Sequence, residues 1–123
     1  MTDQSDTRPW PTELRVTDGG TILAMAFDSG ESFELDAEFL RVESPSAEVK
    51  GHGPGQEVTV GGKRHVKITA LEHVGNYAVR ITFDDGHSTG LYSWEYLRQL
   101  SDEQGVRWSE YLEKLDTKGL TRG

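Results

Sequence analysis

Residues 22–41, ILAMAFDSGESFELDAEFLR, and residues 77–98, YAVRITFDDGHSTGLYSWEYLR, read as two versions of one pattern. Phe27 and Gly30 align with Phe83 and Gly86 at an offset of 56. After one extra residue near Trp94, Leu40 and Arg41 align with Leu97 and Arg98 at an offset of 57. Each copy is an alternating strand, an Asp-x-Gly turn, a second strand and a short aromatic-rich helix. Self-similarity at a fixed spacing is the mark of a repeated supersecondary unit. The expectation is an α+β domain of two pseudo-repeated β-β-β-α units, mainly antiparallel sheet, plus a C-terminal helix.

Working outward, Glu13–Thr17 alternates as a half-buried strand and Asp18-Gly19-Gly20 turns it into Ile22–Phe27. Ser32–Leu35 follows as a strand, and Asp36 stands as N-cap of a helix over Ala37–Val42 with Phe39 and Leu40 inward. Pro45 ends that helix or opens a short turn over Ser46–Val49. Residues 50–63, KGHGPGQEVTVGGK, join the halves, with a short edge strand expected at Val58–Val60. Strand pattern resumes at Val66–Leu71, Tyr77–Phe83 and Ser88–Tyr92, and Ser93 caps a helix over Trp94–Leu100. A last helix carries Trp108, Tyr111, Leu112 and Leu115 at helical spacing, and Gly119 stops it. The chain divides into a disordered tail at 1–9, one domain at 10–118 and a disordered tail at 119–123.

With 123 residues, the chain has length for one modest core. A net charge of −8 and a pI near 4.9 argue against a phosphate-backbone partner, so no nucleic-acid binding is expected; Lys63-Arg64 is too short a basic run to change that. There is no apolar run of membrane length, and MTDQSDTRPWP has neither the basic nor the apolar region of a secretory signal. A cytoplasmic location without membrane association is the expectation. Zero cysteines remove disulfides, thiolate nucleophiles and cysteine-ligated metals. Enzymatic readings are weak: Asp84-Asp85-Gly86 is first a turn, Gly51–Gly55 lacks the Lys-Ser/Thr of a phosphate loop, and no Ser-His-Asp set stands out.

Where the two copies diverge chemically, Glu31 of the first becomes His87 of the second. The segments LRVESPSAEVKGHGPGQ (40–56) and VGNYAVRITFDDGHSTGLYSWEYLRQL (74–100) resemble small bacterial proteins related to the N-terminal domain of γ-butyrobetaine hydroxylase, a domain of unknown function. The resemblance covers about residues 10–100. It implies, for the hydroxylases, a zinc site made by three cysteines in a Cys-Pro-Cys-x-x-Cys-like run after Leu-Arg and by one later histidine. On this chain those positions are Ser44, Ser46, Val49 and His87, so three of the four ligands are replaced. Serine hydroxyls stay protonated at neutral pH and valine has no donor, so the zinc site is abolished and no cofactor is expected. The resemblance does not extend to the catalytic oxygenase domain.

Two readings of the vacated position stand. In one, His87 lies beside Ser44–Val49 and hydrogen-bonds there, replacing metal by polar contact. In the other, His87 and His52 with Asp84 or Asp85 form a different metal site, since imidazole and carboxylate suit zinc, iron or nickel. His65 and His73 read as structural, His65 facing solvent and His73 in a turn. Tyr92 and Trp94, with Arg98, form a candidate binding surface, or else fill the joint between helix and sheet. The function expected is a non-catalytic binding or accessory module. The resemblance implies a protein partner, either an oxygenase or a P-loop ATPase that carries an iron–sulfur cluster; a cysteine-free chain would assist such assembly only by recognition.

Overall fold

Alternate residues of β2 (Ile22–Phe27) and of β5 (Ala78–Phe83) enter one core: Leu23, Met25 and Phe27 from the first, Val79, Ile81 and Phe83 from the second. These are the same positions of the repeat, 56 residues apart. The computed structural model describes residues 9–51 and 55–123. In it β1 (Pro11–Thr17), β2 and β3 (Ser32–Asp36) form one antiparallel sheet in the order β1-β2-β3. β4 (Ile68–Val74), β5 and β6 (Leu91–Ser93) form a second in the order β4-β5-β6. Helices α1 (Ala37–Val42) and α3 (Trp94–Asp102) close the two units; α2 (Ala47–Lys50) and α4 (Gln104–Thr117) complete the domain.

The duplication extends to individual hydrogen bonds. Each first strand carries a bulge at the same place, between Pro11 and Glu13 and between Ile68 and Ala70. The Phe27 and Phe83 amides donate to the Glu31 and His87 carbonyls at 2.8 and 2.9 Å. The Gly30 and Gly86 amides fold back on Phe27 and Phe83, both at 3.0 Å, each glycine at positive φ. Pairing continues with Leu23 opposite Leu35 and Val79 opposite Tyr92, which puts the offset at 57 already within the third strands. The extra residue of the second copy therefore lies in Ser88–Gly90, and Trp94 is the counterpart of Ala37. This corrects the placement near Trp94 and explains why Ser88–Gly90 is not strand: β6 is only Leu91–Ser93, because the added residue lifts its approach off the ladder.

Phe39, Leu40, Tyr92, Trp94, Leu97 and Leu100 close the main core over the sheets. A satellite cluster of Val42, Tyr111 and Leu115, with Val60 and Trp108 against it, holds α4. Leu112, expected in the α4 stripe, is 40% exposed, because the buried side of this helix is narrow. Ser93 caps α3 by accepting from the Tyr96 amide, whereas the Asp36 side chain makes no cap bond to α1. Val58–Val60 is not a strand: Val58 donates once to the Val49 carbonyl and Tyr111 donates to the Val60 carbonyl, with no strand edge alongside. His73 lies on exposed β4 rather than in a turn. Gly119, at φ +67°, ends α4 by the double bond pattern from Gly119 to Asp116 and from Leu120 to Leu115. Beyond it the backbone of Thr121 and Arg122 accepts from Gly62 and Arg64, and Arg122 pairs with the buried Glu38 at 2.8 Å. No helix among the described residues is long and apolar enough to cross a membrane.

Candidate functional site

Two short connections meet in the core, and both are dictated by local chemistry. Residues 43–46 link α1 to α2: Pro45 cannot continue a helix, and Ser46 takes an extended backbone and caps α2 by accepting from the Glu48 amide at 3.2 Å. The 84–87 hairpin tip is an Asp-Asp-Gly turn in which Asp85 Oδ1 accepts from the His87 amide at 3.0 Å. This turn aims the His87 ring inward, where its side chain is 2% exposed.

His87 Nε2 stands 2.9 Å from Ser44 Oγ, and Ser44 is fully buried. Ser44 Oγ accepts from the Ser46 amide at 3.2 Å, which leaves its own proton free for the ring. Glu48 Oε1 lies 3.0 Å from Nδ1, off the line of the N–H, so Nδ1 has a close carboxylate but no aligned acceptor. A lone pair facing a carboxylate would be repelled, so the neutral ring carries its proton on Nδ1 and accepts from Ser44 at Nε2. Burial, reinforced by Arg41, pulls the imidazole below its usual range, with Glu48 opposing. Ser46 Oγ bonds Thr89 Oγ1 at 2.7 Å, tying the same two connections a second time. Gly90 fits because it has no side chain: a Cβ there would come within 2.5 Å of Ser44 Oγ.

Around the rim, Asp85 Oδ2 accepts from Arg41 Nε at 2.8 Å and Lys63 Nζ at 2.6 Å. Burial alone would raise the Asp85 carboxyl; the Lys63 and His87 amide bonds and then Arg41 outweigh it and hold it well below the usual range. Arg41 Nη1 is buried without a partner. Beneath, Tyr92 donates to the Leu40 carbonyl at 2.5 Å, and burial pushes its hydroxyl far above the ordinary phenol range.

The structure thus gathers Ser44, Ser46 and His87 into one contact. Val49, the remaining replaced position, is buried with its amide on Ser46. These residues do not fit zinc: one imidazole, two neutral hydroxyls each already hydrogen-bonded, and a hydrocarbon. Asp84 and Asp85 are engaged elsewhere, Asp84 Oδ1 accepting from the Lys67 amide at 3.0 Å. His52 lies outside the described residues, and among those described no group of three metal-donor side chains comes together. Of the two readings of Tyr92 and Trp94 with Arg98, the joint is what the structure has for the rings: Tyr92 is 0% and Trp94 5% exposed, both packed between helix and sheet, and Arg98 is turned to Glu31 and Asp102. Sequence reading missed Glu48, Thr89 and Gly90, whose roles depend on the two connections meeting. It also missed the Arg41–Asp85 contact, although the Leu-Arg repeated in α1 and α3 was a usable signal.

A family model described as gamma-butyrobetaine hydroxylase-like, N-terminal, matches residues 14–98. Among solved structures, a protein determined by NMR in solution shares 48% identity, with a TM-score of 0.81 over 99% of this chain and 90% of its own. A second NMR structure shares 38%, with a TM-score of 0.80 over 94% and 90%. A crystal structure of a protein of unknown function from Acidithiobacillus ferrooxidans shares 37%, with a TM-score of 0.65 over 79% and 98%. No curated protein matches the chain.

Proposed function

The chain belongs to the γ-butyrobetaine hydroxylase-like N-terminal family, and from that premise we propose that it is a non-catalytic accessory module that acts by binding another protein. The observation that supports this reading is the buried polar plug of Ser44, Ser46 and His87, tied at its edge to the exposed Thr89. Its one titratable ring is buried, held neutral and bonded to a serine that also accepts a backbone amide. A general base needs a reachable proton to abstract, and a nucleophile needs an open approach. This cluster offers neither; it does the work of a fastener between two connections.

The partner we propose is an oxygenase of the hydroxylase class or a P-loop ATPase that carries an iron–sulfur cluster, met in the cytoplasm. Without cysteine the chain can recognise such a carrier but cannot ligate its cluster by thiolate. Sedimentation velocity of the untagged chain mixed with each purified candidate tests the reading. A stoichiometric complex with one of them is the expected result; two sets of unshifted boundaries overturn the partner assignment. Native mass spectrometry and melting with and without chelator test the plug separately. No stoichiometric zinc and an unchanged melting temperature are expected, and a chelator-induced drop of several degrees would show that metal, not the plug, closes the site.

A further inference from the structure

Arginine is seated in this molecule by a recurring pair of groups, an aromatic face and a carboxylate. The Arg98 guanidinium lies 4.9 Å from the Phe33 ring centre and pairs with Glu31. Arg122 lies 5.3 Å from Trp108 and pairs with Glu38; Arg107 lies 5.9 Å from Tyr96 and pairs with Glu43. The physical reason is general: a guanidinium is planar and weakly hydrated, so it stacks on a ring while its edge donates to a carboxylate.

One more place has these groups with no cation among the described residues. An open cleft of about 330 Å³ is lined by Trp10, Tyr77 and Trp94 with Asp28, Glu95 and Asn76, and no Lys or Arg is among the described residues lining it. Trp10 and Tyr77 are 48% and 54% exposed. Trp94 is buried and fixed, its indole N–H donating to the Asn76 carbonyl at 2.8 Å, so it serves as the floor.

The repeat shows that these rings are not required by the fold. The Asp28 amide bonds the Trp10 carbonyl as the Asp84 amide bonds that of Lys67, and the Trp94 amide bonds the Tyr77 carbonyl as the Ala37 amide bonds that of Thr21. The equivalent joint between the halves is therefore built with Lys67, Thr21 and Ala37 where this one has Trp10, Tyr77 and Trp94. Three aromatic residues have been added at one of two equivalent joints, two of them largely open to water, next to two carboxylates.

We propose that this cleft binds an arginine side chain of a partner protein, the guanidinium against Trp10 and Tyr77 and its donors on Asp28 or Glu95. The chain's net charge of −8 complements a basic partner segment. Lysine fits less well, because its ammonium is strongly hydrated and has no flat face to stack. This inference goes beyond the accessory-module reading and is tested without any partner, so either can fail alone.

The test is NMR titration of the ¹⁵N-labelled chain with N-acetyl-arginine amide, with the lysine analogue as comparison, observing the tryptophan indole N–H signals and the Asp28, Tyr77 and Glu95 amides. Saturable shifts confined to these groups are expected, at an affinity of about millimolar for a lone side chain. Trp10→Ala and Asp28→Asn, both at exposed positions, should each weaken binding by about 3- to 10-fold. Absence of saturation, equal response to the lysine analogue, or unchanged affinity in both variants overturns the proposal. Arg8→Ala is run alongside: binding that emerges only in that variant assigns the cleft to the chain's own arginine and overturns the partner reading.

Discussion

His87 occupies the position of Glu31, yet the two side chains face opposite environments. Glu31 is exposed, and its carboxyl is held below the usual range by the Arg98 hydrogen bond and then by Ser29. His87 is buried and held neutral, which has a defined consequence for stability. The unfolded chain takes up its proton near the ordinary value of 6.5, while the folded ring resists it. The unfolded state therefore binds more protons below that pH, and the contribution of His87, complete above about 6.5, is lost as pH falls toward the folded value. Urea unfolding at pH 7.5, 6.5 and 5.5 should show stability falling across this window by at most about 1.4 kcal/mol per pH unit. His87→Gln should flatten that slope. Asp85 acts in a different window: its folded value is depressed, so its contribution is present above 3.8 and lost below. Next to the ring, Gly90→Ala would put a Cβ 2.5 Å from Ser44 Oγ and 3.2 Å from the Tyr92 ring. A destabilisation of about 1–3 kcal/mol is expected from the overpacking. In the double variant with Ser44→Ala the two losses should not add, and a double-mutant cycle by equilibrium denaturation checks this; full additivity would mean that the steric conflict lies elsewhere.

Between elements, the arginine of each repeated Leu-Arg reaches across to the hairpin tip of the other half. Arg41 at the end of α1 bonds Asp85 at the β5–β6 tip, and Arg98 in α3 bonds Glu31 at the β2–β3 tip. The two clasps are related by the repeat but differ in burial: 11% and 19% exposure for the Arg41–Asp85 side chains, 25% and 49% for Arg98–Glu31. A charge-assisted bond in a nearly buried pair is worth more than one in an exposed pair screened by water. Asp85 keeps Lys63 and the His87 amide when Arg41 is removed, so Arg41→Ala should cost about 1.5–3 kcal/mol in denaturant unfolding, and Arg98→Ala much less. Equal costs would show that the clasps act through packing, such as that of Arg98 on Phe33, rather than through charge. The repeated Leu-Arg in the sequence pointed to equivalent positions; it could not show that one clasp would be the more buried, with Lys63 closing on Asp85 from elsewhere in the chain.

For the whole molecule, both halves contribute matched residues to one core, with Phe27 and Phe83 at equivalent positions, 3% and 1% exposed. Phe83→Ala should cost about 3–5 kcal/mol by equilibrium denaturation, as for other buried aromatics; a loss under 1 kcal/mol would contradict the shared core. Alternation with period two, the Asp-x-Gly turns and the helix-end residues were enough to establish the two β-β-β-α units, the matched core positions of Phe27 and Phe83, the Ser93 cap and the Gly119 stop. These are local matters, decided by side-chain period and by backbone conformations that few residues adopt. Resemblance of the 40–56 and 74–100 segments was also enough to locate Ser44, Ser46 and His87. Local pattern did not reveal the inserted residue in Ser88–Gly90 or the exposure of Leu112, and it left the burial of Tyr92 and Trp94 as one of two readings. Nor did it reveal that Glu48, Thr89 and Gly90 complete the plug, or that Trp10 joins Tyr77 across the repeat. Each of these is a contact between residues far apart in the chain, and such contacts are settled only when the two halves pack and the connections between elements are forced into the same volume.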